Sequence, residues 1–271
     1  MFRTRMITAL GLIVLMLMAL FVFSAPLWAA FSSFIVVLAL WEYSRMVKMT
    51  RWLQMGYLTL SVGMLIFFWC AHFSLPLWLH IGVLVFWLVL APLWLIRRWE
   101  LPQGGGSWFL GWFLMFPAWF ALVEWRPSIE PAIVARLFAL MGLVWVADSA
   151  AYFVGRFWGR RKLAQTISPG KTWEGVYGAM VAVVVYGYLV GYFSGALATM
   201  PSWQWLFFTV LLAVVSIVGD LLESWFKRCA DLKDSGQILP GHGGVYDRID
   251  SLIAVLAVGN ALHTLGDLWH Y

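Results

Sequence analysis

Residues 224–251, SWFKRCADLKDSGQILPGHGGVYDRIDS, set Lys227, Arg228, Lys233 and Arg248 among Asp231, Asp234, Asp247 and Asp250. One apolar run precedes this stretch and another follows it. Carboxylates at the edge of a membrane-length apolar run are costly and need a partner. Asp220 and Glu223 lie just upstream, three residues apart, so they share one face of a helix. Asp247 and Asp250 repeat that spacing at the start of the next run, and Asp148 holds a comparable position in WVADSAAYFVGR. If one run goes inward and the next returns, four or five carboxylates meet at one depth beside a basic loop. Clustered carboxylates suit a hard divalent cation, Mg²⁺ where phosphates are handled. Lysine and arginine suit the phosphates themselves. PGHGG, at 240–244, permits a tight turn with backbone N–H groups close to an anion, and it sets His242 between glycines. SPGKTWEG, at 168–175, is a second phosphate-facing candidate, with Ser168 or Thr172 placed to cap the helix that follows. The GxxxxGK[ST] spacing of a P-loop is missing.

Several of these residues have plainer uses. Glu223 and Lys227 are spaced as an ordinary i,i+4 ion pair. Asp148 could face water at a helix end. Arg160, Arg161 and Lys162 read as topology signals and headgroup contacts. His72, His80, His263 and His270 read as packing or interfacial residues. Asn260 and His263 are placed to hydrogen-bond to neighbouring helices.

The elements that position these groups follow from composition. The chain is 63% hydrophobic and 11% charged, with 19 Trp and 20 Phe, which places it in a membrane. Alternating ten-residue strands are absent, which excludes an outer-membrane barrel. Cys70 and Cys229 lie far apart without CxxC spacing, so they mark neither a disulfide framework nor a zinc site. Hydropathy predicts an all-α, polytopic membrane protein with about nine spans, near 6–23, 27–43, 53–71, 77–96, 107–124, 132–152, 173–195, 203–223 and 250–267. Basic residues fall in every second loop: Arg3 and Arg5, then Arg45, Lys48 and Arg51, then Arg97 and Arg98, then 156–171, then 227–248. Only Arg126 and Arg136 fall on or toward the other side. This pattern predicts a cytoplasmic N-terminus and an outside C-terminus. It also accounts for the net charge of +5 without nucleic acid. The first run has the basic start of a signal peptide, but its length and the spans that follow read as a membrane helix. Residues 1–130 are expected to anchor the chain. Residues 131–271 are expected to form the catalytic region, with cytoplasmic loops 155–172 and 224–248. From the residues alone, this is a membrane protein with an acidic and basic site facing the cytoplasm, suited to phosphate chemistry. A secondary transporter would place its charges near the midplane and within repeats. Here they crowd one face, and no repeat is visible.

Ser224, Lys227, Arg228, Lys233, Asp234, His242, Gly243, Gly244, Asp247, Arg248 and Asp250 together fill a longer pattern. It reads Ser, two residues, Lys-Arg, four residues, Lys-Asp, a short gap, His-Gly-Gly, two residues, Asp-Arg, one residue, Asp. The stretch closely resembles the signature of the phosphatidate cytidylyltransferase, or CDP-diacylglycerol synthase, family. SPGKTWEG and ADSAAYFVGRFWG resemble that family too, and TRMITAL and WEYSRM do so more weakly. Tyr246 stands where a smaller or aliphatic residue is expected.

The resemblance implies that CTP and phosphatidate from the bilayer give CDP-diacylglycerol and pyrophosphate. It implies Mg²⁺, with room for a second cation, and a bacterial inner-membrane location with the active site toward the cytoplasm. The partners are then CTP, phosphatidate and membrane lipids, with no nucleic acid, and a homodimer is allowed. Asp220 and Asp247 would be the metal ligands, with Asp148 and Asp250 as further candidates. The catalytic set would be Asp220, Asp247, Lys227, Arg248 and Asp250. Lys227, Arg228, Lys233 and Arg248 would hold the triphosphate or the phosphatidate head, and Ser168, Lys171 and Thr172 would reach phosphate from the other loop. Glu223, Ser224, Asp234, His242, Gly243 and Gly244 complete the substrate-binding set, with His242 chiefly shaping its turn. A relative acting on another lipid phosphate would carry the same motifs.

Overall fold

A computed structural model describes residues 2–267. Long apolar segments in a bilayer must satisfy their own backbone hydrogen bonds, and helices do so within the segment. Nine long helices run through the described residues: α1 Phe2–Phe21, α2 Ala25–Met46, α3 Arg51–Cys70, α4 Leu77–Arg97, α5 Gly105–Glu124, α6 Pro131–Trp158, α7 Trp173–Phe193, α8 Ser202–Cys229 and α9 Tyr246–Asp267. The eight from α2 to α9 are long and apolar enough to cross a membrane, whereas the apolar part of α1, Met6–Phe21, is shorter. A single turn, Ala196–Thr199, links α7 to α8. Within α4 a π-helical turn, Phe86–Leu90, precedes Pro92. Proline has no N–H to donate to the turn before it, and a π-turn is one way a helix absorbs that loss.

One element lies outside the all-helical expectation. Between α6 and α7 the chain forms an antiparallel hairpin of β1 Lys162–Ala164 and β2 Ser168–Thr172, pairing Lys162 with Thr172 and Ala164 with Ser168. Strands of three and five residues are too short to show a two-residue period.

α9 sits at the centre of the bundle. Every residue from Ser251 to Ala261 is buried, the pattern of a helix apolar all round. It packs on α8, α5, α4 and α6. The main core runs from Trp28, Leu40 and Tyr43 of α2 through Trp119 of α5 and Phe226 of α8 to Ala254 and Val258 of α9. A smaller cluster, Leu143, Ala147, Ala179, Val183 and Ala213, joins α6, α7 and α8. Outward-facing apolar residues such as Phe34, Trp52, Phe109, Val181 and Phe193 are exposed, as a lipid-covered surface requires.

Hydrogen bonds identify the two ends of the bundle. At one end, Trp225 Nε1 of α8 donates to Trp99 O (2.7 Å), and Gln54 Nε2 of α3 donates to Ser44 Oγ of α2 (2.7 Å). At the other end, Arg126 donates to Leu20 O and Phe23 O and lies 5.0 Å over the Trp28 ring. There Asn260 of α9 accepts from Trp125 Nε1 (2.7 Å) and donates to Glu124 Oε2 (2.6 Å), the interhelical role expected for it. Of the four histidines read as packing or interfacial residues, His270 lies outside the described residues. The basic residues of the 156–171 and 227–248 loops gather at the first end, opposite Arg126.

Close approach of α8 to α9 depends on Gly219. A Cβ there would lie 2.8 Å from Ala254 Cβ and 2.9 Å from Asp250 O. Gly219→Val is expected to lower the melting temperature in detergent, since overpacking costs about 1–3 kcal/mol. A melting curve equal to wild type would show that the crossing is looser than described.

Candidate active site

The N-terminus of α9 exposes backbone N–H groups that need acceptors. Two carboxylates supply them. Asp247, in the first turn, accepts through Oδ2 from Gly244 N (2.8 Å) and Ser235 N (2.9 Å). Glu42, half the bundle away in sequence on α2, accepts through Oε1 from Val245 N (3.0 Å) and through Oε2 from Tyr246 N (2.7 Å) and Ser235 Oγ (2.9 Å). Negative charge is favoured at a helix N-terminus, and Glu42 is fully buried there. The fit demands glycine at 244, because a Cβ would run into Ser235 Oγ and the Glu42 carboxylate.

Lys227 of α8 lies between two carboxylates, 2.6 Å from Glu223 Oε2 and 2.6 Å from Asp247 Oδ1. It ties α8 to the start of α9. The hairpin docks onto α8 through Lys171 Nζ, 2.6 Å from Asp220 Oδ2. Arg228 Nε adds a bond to Ile167 O in the hairpin turn (3.1 Å). Asp148 of α6, Asp220 of α8 and Asp250 of α9 are electrostatic neighbours of one another, with Lys171 among them and Arg248 beside Asp148. Glu223 adjoins Asp250, and its Oε1 is buried with no hydrogen-bond partner.

The sequence-predicted carboxylates Asp148, Asp220, Glu223, Asp247 and Asp250 therefore do converge, joined by Lys171, Lys227 and Arg248. Other predicted residues serve the scaffold. Thr172 is buried and caps α7, its Oγ1 accepting from Gly175 N (3.2 Å). Arg228 is tied to Ile167 O and Leu232 O. Lys227 is enclosed by its two carboxylates. Ser224 Oγ lies 3.4 Å from Asp220 Oδ1, and Ser168 sits in the hairpin register opposite Ala164. His242 closes a turn, its N–H donating to Leu239 O (2.9 Å) while Gly241 and Gly243 take φ of 76° and 82°. Lys233, Asp234 and Arg248 border a cavity beside this turn.

Glu42 is the residue sequence reasoning missed. Its signal was a lone carboxylate inside an apolar run of membrane length, the same cue that marked Asp148 and Asp220. Tyr246 is also explained: it is buried in the main core and its N–H belongs to Glu42.

Asp148, Asp220 and Asp250, with the partnerless oxygen of Glu223 beside them, supply the donor type that a hard divalent cation takes. Among the described residues no three such side chains are already gathered as a ligand set. Both oxygens of Asp247 are taken up by Lys227, Ser235 and Gly244. Asp148, Asp220 and Asp250 retain more open lone pairs. Asp247→Asn is expected to weaken the start of α9, since an amide nitrogen would face Lys227 or the N–H donors. Hydrogen exchange at 244–250 should speed up, and unchanged protection there would argue against the capping role.

A sequence profile described as the cytidylyltransferase family matches residues 3–265. The chain belongs to the cytidylyltransferase family. A Pseudomonas aeruginosa protein named phosphatidate cytidylyltransferase is 37% identical over 271 residues, covering 97% of each chain. A Haemophilus influenzae protein of the same name is 33% identical over 282 residues, covering 94% of this chain and 96% of its own. A third so named, from Brucella suis, is 46% identical over 129 residues, 48% of this chain and 47% of its own. The matched residues include the whole polar cluster at one end of the bundle.

Proposed function

We propose that the protein transfers a cytidylyl group from CTP to phosphatidate, giving CDP-diacylglycerol and pyrophosphate for phospholipid synthesis. The observation that carries this reading is the carboxylate cluster interleaved with Lys171, Lys227 and Arg248 where the start of α9 lies against α6 and α8. Full-length similarity to relatives named for that reaction supports it. The bulk of the chain is a multi-pass membrane bundle, and a site at one end of it can meet a lipid from the bilayer and a nucleotide from water. The basic loops share that end, which supports a cytoplasm-facing site in a bacterial inner membrane.

The chemistry needs no protein nucleophile. A phosphate oxygen of phosphatidate attacks the α-phosphorus of CTP, the bond to the β-phosphate oxygen breaks, and pyrophosphate leaves. The protein must bring two anions together and hold them in line. Arg248 and Lys233 are placed to carry triphosphate charge, and Lys171, on β2, lies among Asp148, Asp220 and Asp250. Asp148, Asp220 and Asp250, with Asp247 beside them, would hold Mg²⁺. When bound, Mg²⁺ would neutralise charge on the phosphates. Glu42, Lys227 and Asp247 keep the ends of α8 and α9 in register so that these groups share one depth.

The test is transfer of label from α-³²P-CTP into the lipid phase by purified protein in phosphatidate micelles. Labelling that EDTA abolishes supports the reading. Absence of labelling with folded protein would overturn phosphatidate as acceptor, and the assay would then run across other lipid phosphates.

A further inference from the structure

A cavity of about 890 Å³ opens beside the carboxylate cluster, within the roughly 300–1,000 Å³ of small-molecule sites. Its walls include Tyr152, Lys233, Asp234, Gln237, His242 and Arg248. Among the described residues, Lys233, Asp234 and Gln237 make no side-chain hydrogen bond or ion pair. Their neighbours differ sharply: Ser235 and Gly244 are fully engaged with Glu42 and Asp247. Three polar side chains of one otherwise tied-down loop are thus left facing the same space.

Tyr152 supplies the aromatic wall. It lies one turn beyond Asp148 on the same face of α6. The residue is 56% exposed. Its hydroxyl accepts from Arg156 Nη1 (2.6 Å), which fixes the ring. The Arg156 guanidinium also lies 5.9 Å from the ring centroid, so Tyr152 offers its remaining ring surface and its O–H to the cavity. Arg248 borders the cavity and is an electrostatic neighbour of Asp148. The cavity thus abuts the carboxylate cluster at Arg248 and at Gly243, where a Cβ would lie 2.8 Å from Asp247 Oδ2 and 3.6 Å from Asp234 Cβ, and Gln237 lines the same space.

We infer that this cavity seats the nucleoside of CTP, with Asp234 reading the exocyclic amino group of cytosine. The inference rests on CTP being the nucleotide, as proposed above. Cytosine presents an N4 amino donor beside its N3 and O2 acceptors, and a carboxylate is its natural acceptor. Uracil presents O4 at the same place, setting an acceptor against the Asp234 carboxylate. Gln237 can donate its amide N–H to O2, which both bases carry. Tyr152 stacks on either base, since stacking tolerates any π-face. Lys233 and Arg248 then point the triphosphate toward Asp148. Asp234 sets the choice of base, whereas Tyr152 and Gln237 set affinity.

The experiment measures initial rates in phosphatidate micelles with CTP and with UTP, for wild type, Asp234→Asn and Tyr152→Ala. Equilibrium binding of labelled CTP and UTP is followed in parallel. Asparagine can donate to O4, so Asp234→Asn should shrink the CTP-over-UTP ratio about 10- to 100-fold, the reach of one good base contact. Tyr152→Ala should raise KM for both nucleotides alike and leave the ratio intact. If Asp234→Asn lowers both nucleotides in proportion, Asp234 does not read the base and the inference fails. If Tyr152→Ala leaves CTP affinity unchanged, the ring is not the platform and the placement of the nucleoside fails. Wild type that transfers nothing from CTP would overturn the proposed function itself, so the wild-type arm separates the two failures.

Discussion

Replacing Glu42 by Ala is expected to abolish turnover and to lower thermal stability more than any substitution in the exposed loops. The change would strand the N–H groups of Val245 and Tyr246 and the hydroxyl of Ser235, all of which now donate to one carboxylate. A buried donor left unsatisfied costs about 1–3 kcal/mol, so the three together come to roughly 3 kcal/mol or more. Net stabilities are only about 5–15 kcal/mol. Glu42→Gln keeps one acceptor oxygen but turns an amide N–H₂ toward an N–H donor. It should stay folded with reduced turnover, because the start of α9 carries Asp247, Arg248 and Asp250. Melting curves and label transfer by the two variants check this. Wild-type values for Glu42→Ala would show that α9 begins correctly without it.

Lys227 is the second position of large effect. Lys227→Met removes the single cation between Glu223 and Asp247, both 2.6 Å away. Breaking a buried pair by deleting one partner costs about 3–5 kcal/mol, because the remaining charge is uncompensated. Adding Glu223→Gln to Lys227→Met should therefore recover stability, with a coupling of about 0.5–3 kcal/mol in a double-mutant cycle. Strict additivity of the two changes would show that the lysine answers to Asp247 alone.

The sequence was most informative where one rule governs a long segment. Membrane-length apolar runs located α2 to α9 to within six residues, the largest differences falling where α6 and α8 continue beyond their apolar runs to Trp158 and Cys229. The convergence of Asp148, Asp220, Glu223, Asp247 and Asp250 followed from direction alone, since a helix running in and a helix running back must end together. It was less informative about which partner each charge would choose. Lys227 and Arg228 are adjacent basic residues, yet one closes a buried triad and the other braces a hairpin. That choice depends on side-chain direction at a helix end, which spacing does not specify. Thr172 was legible in one of its two expected roles, since its hydroxyl caps α7 as its position before that helix implies. Glu42 carried the cue of a lone carboxylate in an apolar run, but its pairing was not legible: its partners are 193 to 204 residues away in sequence, and no local pattern carries such a pairing. The first helix shows the limit of counting, since the apolar part of α1 falls short of the length its neighbours reach.

That distance has a consequence for how the protein is made. Glu42 emerges from the ribosome and enters the membrane with α2, but Tyr246, which must answer it, is synthesised 204 residues later. At about 5–20 residues per second, the gap is roughly 10–40 s. For that interval the nascent chain carries a carboxylate in an apolar segment with nothing to accept from. Insertion intermediates ending before α9 should therefore be poor substrates for stable partitioning and good ones for quality-control proteases. Nascent chains stalled at successive lengths would reveal this as sensitivity that disappears once residue 246 has cleared the ribosome. A Glu42→Leu chain should lose that sensitivity at every length, at the expense of a helix α9 that begins in the wrong place.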